Sequence, residues 1–187
     1  GHDVTGIEEE AVLLDSASRR RRYPHTALRF LNMKSIEMSR FLGKGFYNVI
    51  SVLNNRILFI HDDILIKKFF YDCKNLLAPE GSLVLHLWNL EGKNPNPMIV
   101  MPTIECIRSK LFFQIWNKDD RFVLNMDIER SNEQVFPILK KTEIALYKPG
   151  DIRRFAEEAG FQSIEFYSDF KKTPFNDESK MLLAILS

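Results

Sequence analysis

The sequence predicts an α/β fold whose sheet is mostly parallel, and three observations support this. Two stretches, at 47–55 and 75–87, contain short apolar runs rich in Val, Ile and Leu, which is typical of strands buried on both faces of a parallel sheet. Between them, residues 62–76 begin with two aspartates and then place apolar residues at helical spacing. Pro79, Glu80 and Gly81 stop this helix and turn the chain. The pattern predicts one right-handed βαβ unit.

The stretch before this unit predicts two further strands and a helix. Residues 1–8 form a short strand that ends on Glu8, and Ala11, Leu14 and Ala17 then follow at helical spacing. A strand at 28–33 comes next.

The stretch after the unit predicts a change to antiparallel pairing. A loop at 91–97 precedes two β-rich runs at 112–116 and 122–127, joined by a turn at 117–120 that predicts a hairpin. A third strand is expected at 143–147. The chain then predicts a helix from Pro149 with Gly160 as the residue that follows its end. The last elements are a strand at 161–170, a loop at 173–179 and a strand at 181–186.

Composition narrows the class of protein. The chain has 187 residues, of which 45% are hydrophobic, enough to bury one core. The formal charge of +1 argues against a protein built to hold nucleic acid, which needs a basic face. Two distant cysteines, Cys73 and Cys106, indicate a reducing compartment, and a cytoplasmic location is expected. No apolar run approaches the ~20 residues of a membrane span. The start at Gly1 suggests a fragment of a longer protein.

Several short motifs occur in an order that is found in one known family. They include L-N-N-R at 53–56, L-A-P-E-G at 77–81 and E-E-A-G-F at 157–161. Together they resemble the class I S-adenosylmethionine-dependent methyltransferases of small molecules. The resemblance implies a Rossmann-like sheet, mostly parallel, with a C-terminal antiparallel hairpin. It assigns residues 1–91 and 147–187 to that domain and 92–146 to a small antiparallel flap over the acceptor pocket. The family's first strand and glycine-rich loop have no counterpart in this chain, and a truncated sequence is the expected reason. The other two explanations are a partner chain that completes the sheet and a degenerate relative that no longer binds the cofactor.

The resemblance also implies which residues meet the cofactor, S-adenosylmethionine. Glu8 at the end of its strand would bind the two ribose hydroxyls, since a carboxylate can accept both hydrogen bonds. Asn32 would meet the adenine amino group and Met33 the adenine ring. Leu53, Asn54 and Asn55 would form the floor of the cofactor site. The alternative interpretation is that Glu8 has no role in binding and lies at the start of a helix, where negative charge is favourable.

Candidate acceptor-binding residues lie near the ends of the next strands. Arg56 follows the cofactor floor, and the resemblance implies that it lies near the acceptor. His86, Trp88 and Asn89 lie at or beyond the end of a predicted parallel strand, where ligands of open α/β sheets bind, so one of them could orient an acceptor. Trp116, Phe122 and Phe136 could line a pocket under the flap, although aromatic residues more often pack a core. The four histidines have no metal-ligand spacing, so no metal is expected. No catalytic residue is assigned, because the sequence shows no nucleophile signature.

The resemblance predicts methyl transfer from S-adenosylmethionine to an N, O or C nucleophile. A protein can catalyse this transfer by holding the two reactants close together and in line, without a residue that reacts covalently. The expected partners are a small-molecule methyl acceptor and, as one option, a second copy in a homodimer, with no membrane and no nucleic acid. Two alternatives stay open. One is a catalytically inactive module that uses the methyltransferase-like fold for binding, which the absent glycine loop favours. The other is an NAD-dependent enzyme, which the C-terminal hairpin disfavours.

Overall fold

A computed structural model describes residues 2–19, 27–90, 97–118 and 121–187. Four α-helices are present in these ranges: α1 (Ala11–Arg19), α2 (Met38–Phe41), α3 (Asp63–Leu76) and α4 (Pro149–Glu158). Single 3₁₀ turns span Ser35–Glu37 and Arg56–Phe59. The loop predicted at 91–97 lies outside the described residues except for Pro97.

Ten strands of the described residues form three sheets. β1 (Val4–Glu8) and β2 (Leu28–Asn32) make a parallel pair. A mixed sheet has the order β3-β4-β10-β9, with bounds β3 (Tyr47–Val52), β4 (Leu77–Trp88), β9 (Ile164–Tyr167) and β10 (Met181–Leu186). An antiparallel sheet has the order β5-β6-β7-β8, with bounds β5 (Met98–Cys106), β6 (Ser109–Lys118), β7 (Arg121–Arg130) and β8 (Val135–Ile144).

The predicted strand–helix–strand unit is confirmed as β3, α3 and β4. Asp62 caps α3, because its carboxylate accepts hydrogen bonds from the N–H groups of Ile64 and Leu65, each at 2.9 Å. β3 and β4 pair in parallel, with Val52 opposite Leu85. The helix ends at Leu76 and β4 begins at the next residue. The prediction that residues 79–81 form a turn between the helix and the strand was therefore wrong, because these residues lie within β4.

Residues 78–81 instead form an irregularity inside β4. Tyr47 pairs with Leu77 whereas Val49 pairs with Ser82, so four residues of β4 lie opposite Asn48 alone. Glu80 adopts the left-handed conformation, with φ of 62°. Gly81 is buried beside the backbone: a Cβ atom there would lie 2.8 Å from the carbonyl oxygen of Tyr47 and 2.9 Å from that of Ala78. The Pro-Glu-Gly sequence therefore allows close approach of the two strands at a bulge.

This contact predicts that Gly81→Ala destabilises the protein. The added methyl group meets two backbone oxygens that cannot move independently, and overpacking of this kind costs about 1–3 kcal/mol. Gly150 in α4 is the matched control, since its Cβ position has no atom within 4 Å. Gly150→Ala should leave stability unchanged or raise it slightly. Urea unfolding of the two variants checks this, and equal midpoints would contradict the close approach at Gly81.

The main core lies against one face of the mixed sheet. Leu83, Leu85 and Leu87 alternate along β4 and are fully buried. Phe70 of α3 is also fully buried, and its ring centroid lies 5.6 Å from that of Phe155 in α4. The opposite face of the sheet carries Val49, whose 61% exposure contradicts the expectation that β3 is buried on both faces.

The flap strands confirm the predicted hairpin and extend it. β6 and β7 pair over their whole lengths, from Ser109 opposite Arg130 to Lys118 opposite Arg121. The third strand is β8, which ends at Ile144, so the strand predicted at 143–147 was largely misplaced. β5 was missed. Both β5 and β8 are edge strands. β5 contains Pro102 and β8 contains Pro137, and the pairing of each strand is irregular near its proline. Proline lacks the N–H that a central strand needs, which weakens the sequence signal of an edge strand.

The prediction of a mostly parallel sheet was wrong. The described residues of the α/β part contain two parallel pairs, β1-β2 and β3-β4, and two antiparallel pairs formed by β10. The antiparallel hairpin of β9 and β10 was predicted correctly. Within these residues β1 pairs only with β2 and β3 only with β4. The parallel strands are thus divided between two sheets. In each sheet, a parallel strand lies at an edge that has no further partner strand among the described residues.

Candidate functional site

Six residues predicted to bind the cofactor lie where the parallel strands end, a region we call the carboxyl edge: Glu8, Asn32, Met33, Leu53, Asn54 and Asn55. Arg56 and His86, which are candidates for contact with the acceptor, lie at the same edge. Glu8 and Asn32 are register partners at the last position of β1 and β2. Because carboxyl ends of parallel strands share one side of a sheet, residues far apart in sequence converge there.

Glu8 and Asn32 form one local network. The side-chain amide of Asn32 donates to the carbonyl oxygens of Glu8 and Glu9, at 3.2 and 3.1 Å. The Glu8 carboxylate accepts a hydrogen bond from the N–H of Glu10 at 3.1 Å, which also holds the start of α1. Met33 is half-buried, and its N–H donates to the carbonyl oxygen of Glu8 at 3.3 Å. The side-chain nitrogen of Asn32 is therefore engaged, whereas no group in the described part of the chain donates to its side-chain oxygen.

Asn54 and Asn55 turn the chain sharply after β3. Both adopt the left-handed conformation, with φ of 56° and 64°, which asparagine tolerates better than other residues with a side chain. Asn55 then joins the two strand ends. Its N–H donates to the carbonyl oxygen of His86 at 3.0 Å, and its side-chain oxygen accepts from the N–H of Trp88 at 2.6 Å. The Asn-Asn sequence thus positions Leu53 and its neighbours against the end of β4.

This clamp predicts a graded loss of stability in Asn55 variants. Asn55→Ala leaves the Trp88 N–H without its partner, at a cost of about 1–3 kcal/mol, and adds the strain of alanine at positive φ. Asn55→Asp keeps an acceptor and a tolerated conformation, so its loss should be smaller. Urea unfolding of both variants measures the difference. Equal losses would show that the side-chain hydrogen bond contributes little.

Arg56 lies beside Glu8 rather than apart from it. A guanidinium nitrogen of Arg56 is 3.5 Å from a carboxylate oxygen of Glu8, and the guanidinium carbon lies 5.8 Å from the ring centroid of Phe59. The Arg56 side chain is 59% exposed and that of Glu8 23% exposed. The ion pair is one link between the β1-β2 pair and the mixed sheet, and Ile7 and Met33 also pack against the core.

Trp88 and Asn89 are buried and bonded inside the protein. Trp88 packs edge-on against Phe113 of β6, with ring centroids 5.3 Å apart. The Asn89 amide donates to the carbonyl oxygens of Asp177 and Ser179 at 2.9 and 2.8 Å. Trp88 therefore joins β4 to the flap, and Asn89 holds the loop before β10. Both residues support the walls of the carboxyl edge in this arrangement.

The aromatic residues proposed for the flap pocket lie in different environments. Trp116 and Phe136 are partly exposed, at 36% and 39%. Phe122 is half-buried against the core. The described residues thus show Phe122 as a packing residue.

Two contacts hold the flap end against the α/β part. The N–H of Ala145 donates to the carbonyl oxygen of Leu58 at 2.8 Å, and the hydroxyl of Tyr147 donates to the carbonyl oxygen of Ile60. Burial raises the pKa of the Tyr147 hydroxyl well above its usual range, and nearby aspartates add to the shift. Tyr147 therefore remains a neutral donor.

No group of three or more potential metal ligands occurs in the described part of the chain, so no metal centre is assigned. Among the same residues, no helix has the length and apolar composition for a membrane span. Cys73 is buried and Cys106 is exposed, and both are free thiols. Burial raises the pKa of the Cys73 thiol far above its usual range, which leaves it unreactive.

No protein-family model and no curated protein matches the sequence. Solved structures do match the fold. The CcbJ methyltransferase from Streptomyces caelestis has a TM-score of 0.80 at 15% identity, over 98% of this chain and 74% of that one. An S-adenosylmethionine-dependent methyltransferase from Clostridium acetobutylicum has a TM-score of 0.78 at 12% identity, over 100% and 75%. CalS10, an amino pentose methyltransferase from Micromonospora echinaspora solved with S-adenosylmethionine bound, has a TM-score of 0.60 at 13% identity, over 98% and 73%. The chain has the α/β fold of these methyltransferases.

Proposed function

We propose that this protein transfers a methyl group from S-adenosylmethionine to a nucleophile of a small-molecule acceptor. The observation that supports this most is the match of 98% of the chain to a methyltransferase fold with a TM-score of 0.80. The position of Glu8 adds to it, since a carboxylate that ends a parallel strand suits a nucleoside ribose. A fold alone does not specify which reaction a protein catalyses. The proposal therefore also depends on the chemistry of the residues at the carboxyl edge.

The residues of the carboxyl edge are chemically suited to this cofactor. Glu8 keeps 23% of its side chain exposed, and each carboxylate oxygen can accept more than one hydrogen bond, so two ribose hydroxyls can be held. The free carbonyl oxygen of Asn32 can accept from the adenine amino group, with Met33 against the ring. Leu53, 36% exposed, offers an apolar surface beside the exposed turn residue Asn54. Asn55 acts through the backbone, because its side chain holds Trp88.

On the acceptor side we propose roles for Arg56, Trp88 and Asn89. Arg56 offers a cation at the edge, and Trp88 and Asn89 shape the wall next to the flap. The bound cofactor supplies an electrophilic methyl group. The protein's own task is then to orient the acceptor's nucleophile in line with that group and to exclude water. Two of the matching structures are described as sugar or amino pentose methyltransferases, which supports a small polar acceptor for this chain as well.

Four further assignments belong to the same proposal. Residues 1–91 and 147–187 form the cofactor-binding domain and 92–146 form the flap. Two free cysteines support a reducing, cytoplasmic location. The near-zero net charge supports a protein that does not bind nucleic acid. Exposed apolar residues of the flap, such as Val100 at 65% and Ile104 at 53%, support a homodimer.

Calorimetric titration with S-adenosylhomocysteine tests the proposed function. The 187-residue chain and the product of the full natural reading frame are titrated side by side. Binding by either version, followed by methylation of a small-molecule acceptor, is the expected result. No binding by both versions would contradict the proposal and favour a module that uses this fold for another kind of interaction.

A further inference from the structure

His86 is a half-buried histidine near the end of β4. Its strand neighbours Leu85 and Leu87 are buried in the main core, so the imidazole points to the opposite face of the sheet. There it packs against Phe170, with ring centroids 5.1 Å apart and planes inclined at 45°. In the described ranges no group of the protein donates to or accepts from either ring nitrogen. The hydrogen-bonding capacity of this imidazole is therefore available to a ligand.

Phe170 is held over His86 by a tightly bonded turn. The Asp169 carboxylate accepts hydrogen bonds from the N–H groups of Lys171 and Thr173, at 2.8 and 3.2 Å, and from the Thr173 hydroxyl at 2.9 Å. These bonds lower the pKa of Asp169 below its ordinary value. Although it is held in this way, the Phe170 side chain stays 63% exposed. An exposed aromatic ring on a fixed turn suits contact with a ligand better than core packing.

His86 belongs to the carboxyl edge through its own backbone. Its carbonyl oxygen accepts from the N–H of Asn55 at 3.0 Å, and the next residue of that turn, Arg56, pairs with Glu8 at 3.5 Å. The imidazole thus comes from the strand end next to the proposed cofactor floor. Of the residues assigned above to the acceptor, Arg56 offers only donors, and Asn89 is buried and bonded within the protein.

The charged side chains on the elements near His86 either contact other residues or are exposed to solvent. On β9, the Glu165 carboxylate accepts from the Tyr167 hydroxyl at 3.0 Å, and the Lys172 ammonium lies 5.6 Å from the Tyr167 ring centroid. Asp169 is bonded within its turn, Lys171 is exposed, and on β10 the register partner of His86 is the apolar Leu183. Burial lowers the pKa of His86 below its ordinary value. The imidazole therefore stays neutral to a lower pH than an exposed histidine, which keeps one ring nitrogen as an acceptor.

We propose that His86 and Phe170 form a binding subsite for the methyl acceptor. The neutral imidazole accepts a hydrogen bond from an N–H or O–H group of the acceptor, and the Phe170 ring packs against the acceptor's apolar part. The subsite selects acceptors that combine such a donor with an apolar or C–H-rich face, as amino sugars and phenols do. This inference rests on the proposed function, because it names a specificity element of the same site.

The experiment uses the version of the protein that binds S-adenosylhomocysteine and a panel of amino sugars, small amines and phenols as acceptors. His86→Phe keeps an aromatic ring but removes the acceptor atom, so KM for the acceptor should rise about 3- to 10-fold. His86→Gln keeps a non-titrating acceptor and should retain part of the affinity. Phe170→Ala should raise KM as well. His61→Gln is the matched control, because His61 is 46% exposed and lies beside Glu143 instead. Affinity for S-adenosylhomocysteine should stay unchanged in all four variants.

The pH dependence of KM separates this role from a merely structural one. Protonated imidazole cannot accept a hydrogen bond, so acceptor affinity should be complete above the pKa of His86 and fall as pH drops through it. Because burial lowers this pKa, the fall should occur below the ordinary histidine range. The histidine contribution should disappear in His86→Gln. Side-chain NMR of the ligand-free protein should show the lowered pKa directly, and Phe170→Ala should raise it towards the ordinary value.

NMR also gives a readout that does not depend on turnover. Addition of an acceptor should shift the imidazole signals of His86 and leave those of His61 in place. An unchanged KM in His86→Phe, or signals of His86 that do not respond, would overturn the subsite. A wild-type protein that binds S-adenosylhomocysteine but methylates no member of the panel would also overturn it while leaving cofactor binding established. Failure to bind S-adenosylhomocysteine at all would overturn the proposed function and the subsite together.

Discussion

Glu8→Ala should weaken the binding of S-adenosylhomocysteine about 10- to 100-fold, because hydrogen bonds to a charged group contribute more than neutral ones. Glu8 ends β1 and is 23% exposed. Removal of its carboxylate would leave two ribose hydroxyls without a charged acceptor. It would also release Arg56, which lies 3.5 Å from it. Isothermal titration calorimetry of wild type and variant measures the effect, with urea unfolding to confirm that both are folded.

Glu10→Ala is the matched control for Glu8→Ala. Glu10 is exposed, and only its backbone N–H contacts Glu8, so the substitution removes a nearby negative charge and keeps that hydrogen bond. Its affinity for S-adenosylhomocysteine should stay within about twofold of wild type, as expected for a screened surface charge. If both variants bind as the wild type does, the ribose assignment is wrong and Glu8 serves only to hold the start of α1.

Phe70→Ala should lower the free energy of unfolding by about 3–5 kcal/mol, which is the usual cost of emptying a buried phenylalanine site. Phe70 has 0% exposure and lies between α3 and α4, with ring centroids 6.0 Å from Phe69 and 5.6 Å from Phe155. Neither helix can close the cavity easily, since both also pack against the mixed sheet. Such a loss is a large part of the stability of a typical domain. Urea unfolding followed by circular dichroism measures it.

Two further phenylalanine variants make this measurement specific. Phe41→Ala removes a ring that is 67% exposed on α2, so its effect should stay within about 0.5 kcal/mol. Phe70→Leu keeps most of the buried apolar volume and should cost clearly less than Phe70→Ala. A loss below about 1 kcal/mol in Phe70→Ala would show that this part of the core repacks freely.

Local signals allowed the helices α1, α3 and α4 and the central strands to be predicted from the sequence, whereas the short helix α2 was missed. The aspartate cap and apolar spacing of α3, and the β-rich runs of β6 and β7 with the turn residues between them, act within a few residues of the chain. The edge strands β5 and β8 were missed or misplaced because Pro102 and Pro137 interrupt their pattern. Such interruptions are tolerated at an edge, which depends on neighbours that local sequence does not show.

The candidate site shows the same limit of local sequence. The resemblance to methyltransferases named Glu8, Asn32, Asn54 and Asn55 as candidates, and the structure shows all four at strand ends. Their hydrogen bonds could not be predicted: Asn55 proved to hold Trp88, and Arg56 proved to pair with Glu8. Pairing of this kind depends on distances between strands that are more than thirty residues apart. Phe170 likewise reaches His86 only because the chain folds back through β9 and β10.

The sequence by itself determined the helices α1, α3 and α4, the βαβ unit and the resemblance to methyltransferases, because capping, periodicity and short motifs are properties of neighbouring residues. The tertiary structure alone decided the division into two sheets, the exposure of Val49 on β3 and the placing of His86 beneath Phe170. The physical reason is that strand pairing and burial are set by which distant segments meet. A run such as that of β3 has the same composition whether one of its faces is covered or both.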